Sequence, residues 1–504
     1  MTDSTQKDRT MPLASADLGA ENRSVFFDGI SFAAMVYLAL PLLIFFCGWL
    51  QPYAAVFFNG LVLLGLGTCY RLIQVDLTPR CRRRLLVIFI VALVWTSLGG
   101  AGHIFYANIY DWSLRDAVLH DLVVDAWPVS YGETDGAPMM LRSPVAYFLP
   151  AAVLGKLFGV GYADMFLWGW TLLGVLLFLL LLPLPQRTFM RFSIGLAVVV
   201  LFSGMDVLGL LLTGSLLPES GDHIEWWASF YQLSSHATQL FWVPNHALPG
   251  WLAAALFLRH WKQANFVKMA PFLLALLPLW SPFAVIGIGP FLAIALGYAV
   301  KTGTWRHLQM LHCLPAIFIF AFGVLYLAMD IGGINSSPIG AVVGARVENN
   351  IRFLASYALF VSLEFGVLSF VLLSRGRAGL PVWIATVVLL LLPTYSFGPG
   401  NDLVMRASIP ALVILCAACL AEIDLKSTPD NFSDVVALAF ILLIGAVTPV
   451  NEILRAVNSN RWDPDLGHNL LDTQANHSPP AHYVGRLKDP LLIRLFKPPV
   501  DYRT

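Results

Sequence analysis

The chain has 504 residues, of which 58% are hydrophobic and only 12% charged, with a mean hydropathy of +0.71. Its 31 basic residues balance 31 acidic ones, so no field of one sign points to nucleic acid as a partner. Runs such as Leu86–Trp95 and Leu167–Leu184 lack the polar stripe of a soluble amphipathic helix, and equally the polar–apolar alternation of a barrel strand. The composition therefore predicts an all-α, polytopic transmembrane protein.

Taken in order, residues 1–30 are polar, carry no hydrophobic signal core, and are expected to stay in the cytoplasm. N-terminal spans fill 31–105, at about 31–50, 53–72 and 85–105. A polar outer loop follows at 106–160, and 161–449 forms a transmembrane core. Its spans are expected near 161–184, 190–213, 246–260, 268–281, 283–300, 308–328, 351–374, 379–395, 405–421 and 433–449, about thirteen in all. An outer tail occupies 450–504. This threading puts most Lys and Arg on the cytoplasmic side, including the Arg82-Arg83-Arg84 run, although the basic tail runs against the trend. Residues 143–159 are short for a span and contain Pro150 and Lys156, so they are expected to lie at the outer surface.

None of the six cysteines falls in a predicted outer loop, so no disulfide framework is indicated. Cys416 and Cys419 have CxxC spacing but sit in an apolar helix, where packing explains them. Asp206 and Glu364 fall inside predicted spans, where hydrogen bonding between helices is the default reading.

The densest chemistry lies in the first outer loop. Asp111, Asp116, His120, Asp121 and Asp125 crowd into fifteen residues directly after a span. On a helix Asp116 and His120 share a face. A carboxylate just outside a bilayer can serve as a general base or cation ligand; it can equally solvate a surface helix and pair with Arg115. Trp127-Pro128-Val129, then Arg142-Ser143-Pro144-Val145-Ala146-Tyr147, then Gly155-Lys156-Leu157-Phe158-Gly159 complete the stretch.

This layout resembles the first outer loop of the GT-C glycosyltransferases, which include aminoarabinose-to-lipid-A transferases and protein O-mannosyltransferases. The likeness covers about fifty residues closely. Asp111 matches the family's acid after a span, and Arg142 to Tyr147 its basic, proline and aromatic element. Two features differ: three spans rather than one precede the loop, and Trp112 stands where a second acid is common. The resemblance implies a GT-C-like fold and transfer of a sugar from a polyprenyl-phosphate carrier to a glycan, lipid or protein acceptor, with inversion. It implies Asp111 as base, supported by Asp116 and His120, on the outer face of a bacterial cytoplasmic membrane.

Such chemistry needs cations for the leaving phosphate, and arginine's fork matches phosphate oxygens. Arg142 is the first candidate. Arg406 is the second, unless it simply pairs with Asp402 one turn earlier; Arg346 and Arg352 are weaker. Asp222-His223-Ile224-Glu225-Trp226-Trp227 and Trp242 to His246 interleave aromatics with polar groups, suiting either sugar binding or an interfacial belt. Tyr147, Trp127, Asp222, His223, Glu225, His246 and Asp402 are thus candidate substrate contacts. Asp222, His223 and Glu225 could join Asp111 around a divalent cation, though no spacing demands a metal. No phosphate-cradling Gly-rich loop occurs, which favours a lipid-linked donor over a nucleotide sugar. A transporter or flippase for an anionic or lipid-linked substrate, and an O-antigen-type polymerase or ligase, are the competing readings; no internal repeat supports the transporter.

Overall fold

The computed structural model describes residues 28–73, 81–214, 222–228, 231–334, 336–338, 350–374, 379–398, 400–425, 432–464, 467–473 and 481–499. Arg346 lies outside them, as does the Arg352 side chain.

Eight described helices are long and apolar enough to cross a membrane, the signature of a multi-pass helical membrane protein. Among them are α1 (Gly29–Trp49) and α2 (Pro52–Tyr70). At the start of α1, Asp28 accepts the Ser31 amide at 2.9 Å and pairs with Arg259. Pro52 starts α2 at a position where the lost N–H is no cost.

The other five expected spans are shorter helices, four of them with a local reason. Next come α3 (Arg82–Leu98), α4 (Ile109–Val124), α5 (Leu149–Phe158), α6 (Ala163–Leu181), α7 (Phe189–Val200) and α8 (Asp206–Leu212). Gly99-Gly100 ends α3. The expected span 190–213 is broken between α7 and α8. There the Met205 and His236 amides bond the Leu363 and Phe202 carbonyls at 3.0 Å, so the freed backbone is satisfied by neighbouring segments. Further along lie α9 (His236–Trp242), α10 (Pro244–His260) and α11 (Phe266–Leu276), the last stopping just before Pro278. Helix Leu380–Leu391 likewise runs out at Pro393. In α10 nearly every residue is buried, so this helix serves as the axis of the bundle. The expected tail boundary at 450 falls inside a helix, because Val447–Asn458 continues past it.

Two small sheets add to the all-α expectation. Strands β1 (Ser130–Thr134) and β2 (Ala137–Leu141) form a hairpin within the predicted outer loop. Strands β3 (Ser336–Pro338) and β4 (Tyr395–Phe397) pair antiparallel, and β5 (Val484–Arg486) from the tail adds to β2, with Met140 opposite Gly485. Hydropathy missed these strands because each is only three to five residues long. Together with α4 and α5 they make a polar cap over one end of the bundle. Arg486 fastens it, donating to Asp330 at 2.8 Å and Asp135 at 2.9 Å. The Arg486–Asp330 pair holds the Asp330 carboxyl below its usual range.

Candidate functional site

Beneath the cap lies a cavity of about 760 Å³. Its walls are apolar, from Val285, Ile286 and Pro290 of α12 (Pro282–Thr302), Val324 and Leu327 of α13 (Met310–Ala328), and Leu391. Its cap end carries the polar groups Arg142, His246, Asp402, Arg406, His482 and Tyr483. Four sequence-derived candidates therefore meet here, from segments far apart in the chain.

Arg142 follows β2 and is 3% exposed. Its Nη1 donates to the Leu327 carbonyl at 2.9 Å and its Nη2 to the Ala481 carbonyl, while Nε has no partner. Among the described residues no carboxylate reaches ion-pairing distance of it. Burial pulls its pKa down, partly opposed by Tyr326 and Asp330. A cation in this setting lacks the counter-charge that burial calls for.

Arg406 is better matched. Helix Asp402–Ala407 follows the Gly-rich turn at 398–401, where Gly398 has φ +85° and a Cβ would come within 2.2 Å of the Asp402 carboxylate. One turn on, Arg406 meets Asp402 at 2.9 Å and lies over the Phe283 ring, with its Nε unpartnered. The pairing weighed from sequence is present, yet both groups still line the cavity. Burial, with the Arg406 and Arg142 charges, pushes the His482 imidazole below its usual pKa against the pull of Asp402. His246, at the start of α10, bonds Ser281 Oγ at 2.7 Å.

Helix α4 sends its acids in three directions. Asn108 caps it, accepting the Tyr110 and Asp111 amides. Asp111 in the first turn pairs with Arg115 at 2.9 Å, its side chain 27% exposed. Burial raises the pKa of the Tyr483 hydroxyl, and the charges of Arg115, Arg406, Asp111 and Asp402 all reach it. Tyr483 is a wall residue of the cavity, whereas Asp111 is not. Asp116 faces His103 Nε2 at 3.0 Å, away from His120, which instead bonds Asp121 at 3.1 Å. Asp121 is fully buried and accepts the Tyr131 hydroxyl and the Leu470 amide, so it ties hairpin to tail.

Tyr147, Trp127 and Asp222 do not line the cavity. Tyr147 is buried with its hydroxyl 2.7 Å from Thr171 Oγ1. Trp127 donates to the Leu122 carbonyl and sits beneath Lys156. Asp222 is exposed, and its carbonyl accepts from Asn451.

His223 and Glu225 form a second polar cluster, apart from Asp222. His223 Nδ1 lies 2.7 Å from Glu452 and Nε2 lies 3.6 Å from Glu225. Glu225 accepts the Ser235 amide at 2.8 Å and the Thr238 hydroxyl. Burial raises the Glu225 pKa to about 7, against the pull of His223. Trp242 donates to Glu452 and tilts against His223, so these aromatics are built into a hydrogen-bonded network rather than an open surface. Nearby, Trp227 Nε1 reaches Asp206 at 3.2 Å and Glu364 at 3.0 Å, the bonding between helices expected for these acids. Cys416 and Cys419 are buried in helix packing.

Sequence reading passed over His103, Asp164, Glu452, His482 and Tyr483. Glu452 alone left a usable signal, as an acid on the buried face of an amphipathic helix.

The fold and site define a multi-pass helical membrane protein with a polar cap over an apolar, arginine-bearing cavity. No protein-family model matches the sequence, and no curated protein and no solved structure shows significant similarity to it.

Proposed function

We propose that the chain is a glycosyltransferase of GT-C type in the bacterial cytoplasmic membrane, acting on its outer face with a polyprenyl-phosphate-linked sugar. The observation that carries this reading is Arg142, a buried cation without a carboxylate partner, lining an apolar cavity that also holds Arg406. An apolar groove suits an isoprenoid tail, and two guanidinium groups suit its phosphate.

In this reading Asp111 takes the proton of the acceptor hydroxyl, whose oxygen attacks the anomeric carbon. The bond from that carbon to the phosphate oxygen breaks, and the lipid phosphate leaves with the electron pair. Arg142 and Arg406 stabilise the added negative charge, and the sugar inverts. Arg115 holds Asp111 in place through their 2.9 Å ion pair. Tyr483 lines the cavity together with both arginines.

A transporter remains the competing class. The cavity's polar groups gather at the cap end, whereas a transport path calls for a site at the bilayer midplane between two gates. A polymerase or ligase would share the donor and differ in acceptor.

The test is Asp111→Asn in membranes supplied with a labelled polyprenyl-phosphate sugar. Transfer is expected to fall at least about a hundredfold at normal protein level; retained transfer removes Asp111 as base.

A further inference from the structure

The geometry points to a divalent metal site formed by His103, Asp116 and Asp164, holding Zn²⁺ or Mn²⁺ as a structural ion. These three are, among the described residues, the one group whose ligand atoms come close enough to share an ion, all within 4.8 Å of one another. With bonds of about 2.1 Å, ligand atoms lie about 3.4 Å apart around a tetrahedral ion and at most about 4.2 Å apart around an octahedral one, so closure needs a modest side-chain adjustment. All three residues are buried, at 1%, 6% and 9% exposure.

The second observation is the state of the two nearest atoms. His103 Nδ1 lies 3.3 Å from the Trp462 carbonyl, which can only accept, so Nδ1 carries the proton. Nε2 faces Asp116 Oδ2 at 3.0 Å, within ion-pairing distance, yet the two atoms are not aligned for a hydrogen bond. A divalent cation would displace the proton of such a pair and take a lone pair from each atom. The carbonyl contact on the far ring nitrogen is the support that metal-bound histidines ordinarily have.

Asp164, at the start of α6, is supported in the same manner. One of its oxygens accepts the Gly102 amide at 3.1 Å. Gly102 and His103 both have positive φ, +84° and +44°, and a Cβ on Gly102 would meet Trp168 at 2.8 Å. For a residue such as histidine this conformation is costly, and it persists where surrounding structure demands it.

Two carboxylates and one neutral imidazole balance a divalent charge, and in a buried site that neutrality limits the cost of burial. The imidazole favours a transition ion over Mg²⁺ or Ca²⁺. The site is buried, so the ion would fasten the middle of α4 to the start of α6 through Asp116 and Asp164, and both to the segment at His103. This holds whether or not the chain transfers sugars.

The experiment uses the full chain in detergent, exposed to micromolar ZnCl₂ or MnCl₂, desalted, and assayed by elemental analysis. About one equivalent of one of these metals per chain is expected, together with a chelator-induced drop in melting temperature. His103→Gln and Asp164→Asn should each lose the metal and the chelator response. X-ray absorption on the wild type, which needs no variant, should show one imidazole nitrogen among oxygen ligands. A wild-type chain without stoichiometric metal overturns the proposal and leaves a buried His–Asp ion pair only. Metal retained in both variants, or bound without an imidazole, overturns it equally.

Discussion

Arg142 and Arg406 enter the same apolar cavity with unequal partners: Asp402 stands 2.9 Å from Arg406, while Arg142 has only two backbone carbonyls. The cap end of the cavity is therefore short of one negative charge. The proposed function assigns that place to a lipid phosphate.

Replacing Arg142 with Ala should weaken polyprenyl-phosphate binding by roughly tenfold or more, the worth of a charge-assisted hydrogen bond. Arg142→Lys should recover part of it, because a point charge cannot reproduce the guanidinium fork. Arg406→Ala should also weaken binding, and it leaves Asp402 unpaired near the phosphate. Titration of detergent-solubilised protein by native mass spectrometry reads all three; unchanged affinity in Arg142→Ala contradicts the assignment.

The tail strand bears on the same residue. A Cβ on Gly485 would lie 2.9 Å from the Met329 carbonyl and 3.3 Å from Arg142 Cδ and Nε. Gly485→Ala should therefore displace Arg142 and weaken lipid binding several-fold, though Gly485 is not a cavity wall residue. The same titration reads it, with the melting temperature as a check on folding.

Glu225 predicts a pH dependence of stability. Its folded pKa is raised from 4.5 to about 7, chiefly by burial. Its contribution is fully present below the unfolded value and is lost as pH rises through about 7. His223 is raised as well: burial is its largest single influence and lowers it, but the Glu452 hydrogen bond and the Glu225 and Glu452 charges together outweigh burial, so its contribution also fades with rising pH. Melting temperature should fall as the solution goes from acid to mildly alkaline, and Glu225→Gln should flatten that fall. A wild-type curve no steeper than the variant's would refute this reading.

Trp227 supplies one indole N–H to both Asp206 and Glu364. Trp227→Phe keeps most of the ring volume and removes that donor, at a cost of about 1–3 kcal/mol. Thermal unfolding in detergent should show the loss as a drop of several degrees.

Much of the helical framework was legible because apolar runs as long as a bilayer leave few alternatives. The five shorter helices were harder: hydropathy sums over the break at 201–205 and cannot see that Leu363 supplies its backbone partner. At the site, scarcity of charge singled out Arg142 and Arg406, which the fold brings to one cavity. It could not show that α4 would aim Asp111, Asp116 and Asp121 in separate directions. Nor could it show that His482 and Tyr483, in a polar tail, would close the cavity's cap end, because that placement depends on β5 pairing with β2.

The most direct measurement is a structure of the protein with polyprenyl phosphate bound in a lipid nanodisc. The isoprenoid chain is expected along the apolar wall of the cavity, with phosphate oxygens in hydrogen-bonding contact with Arg142 and Arg406 and Asp111 on the acceptor side. A lipid phosphate bound elsewhere, with both arginines still turned to their present partners, would contradict it.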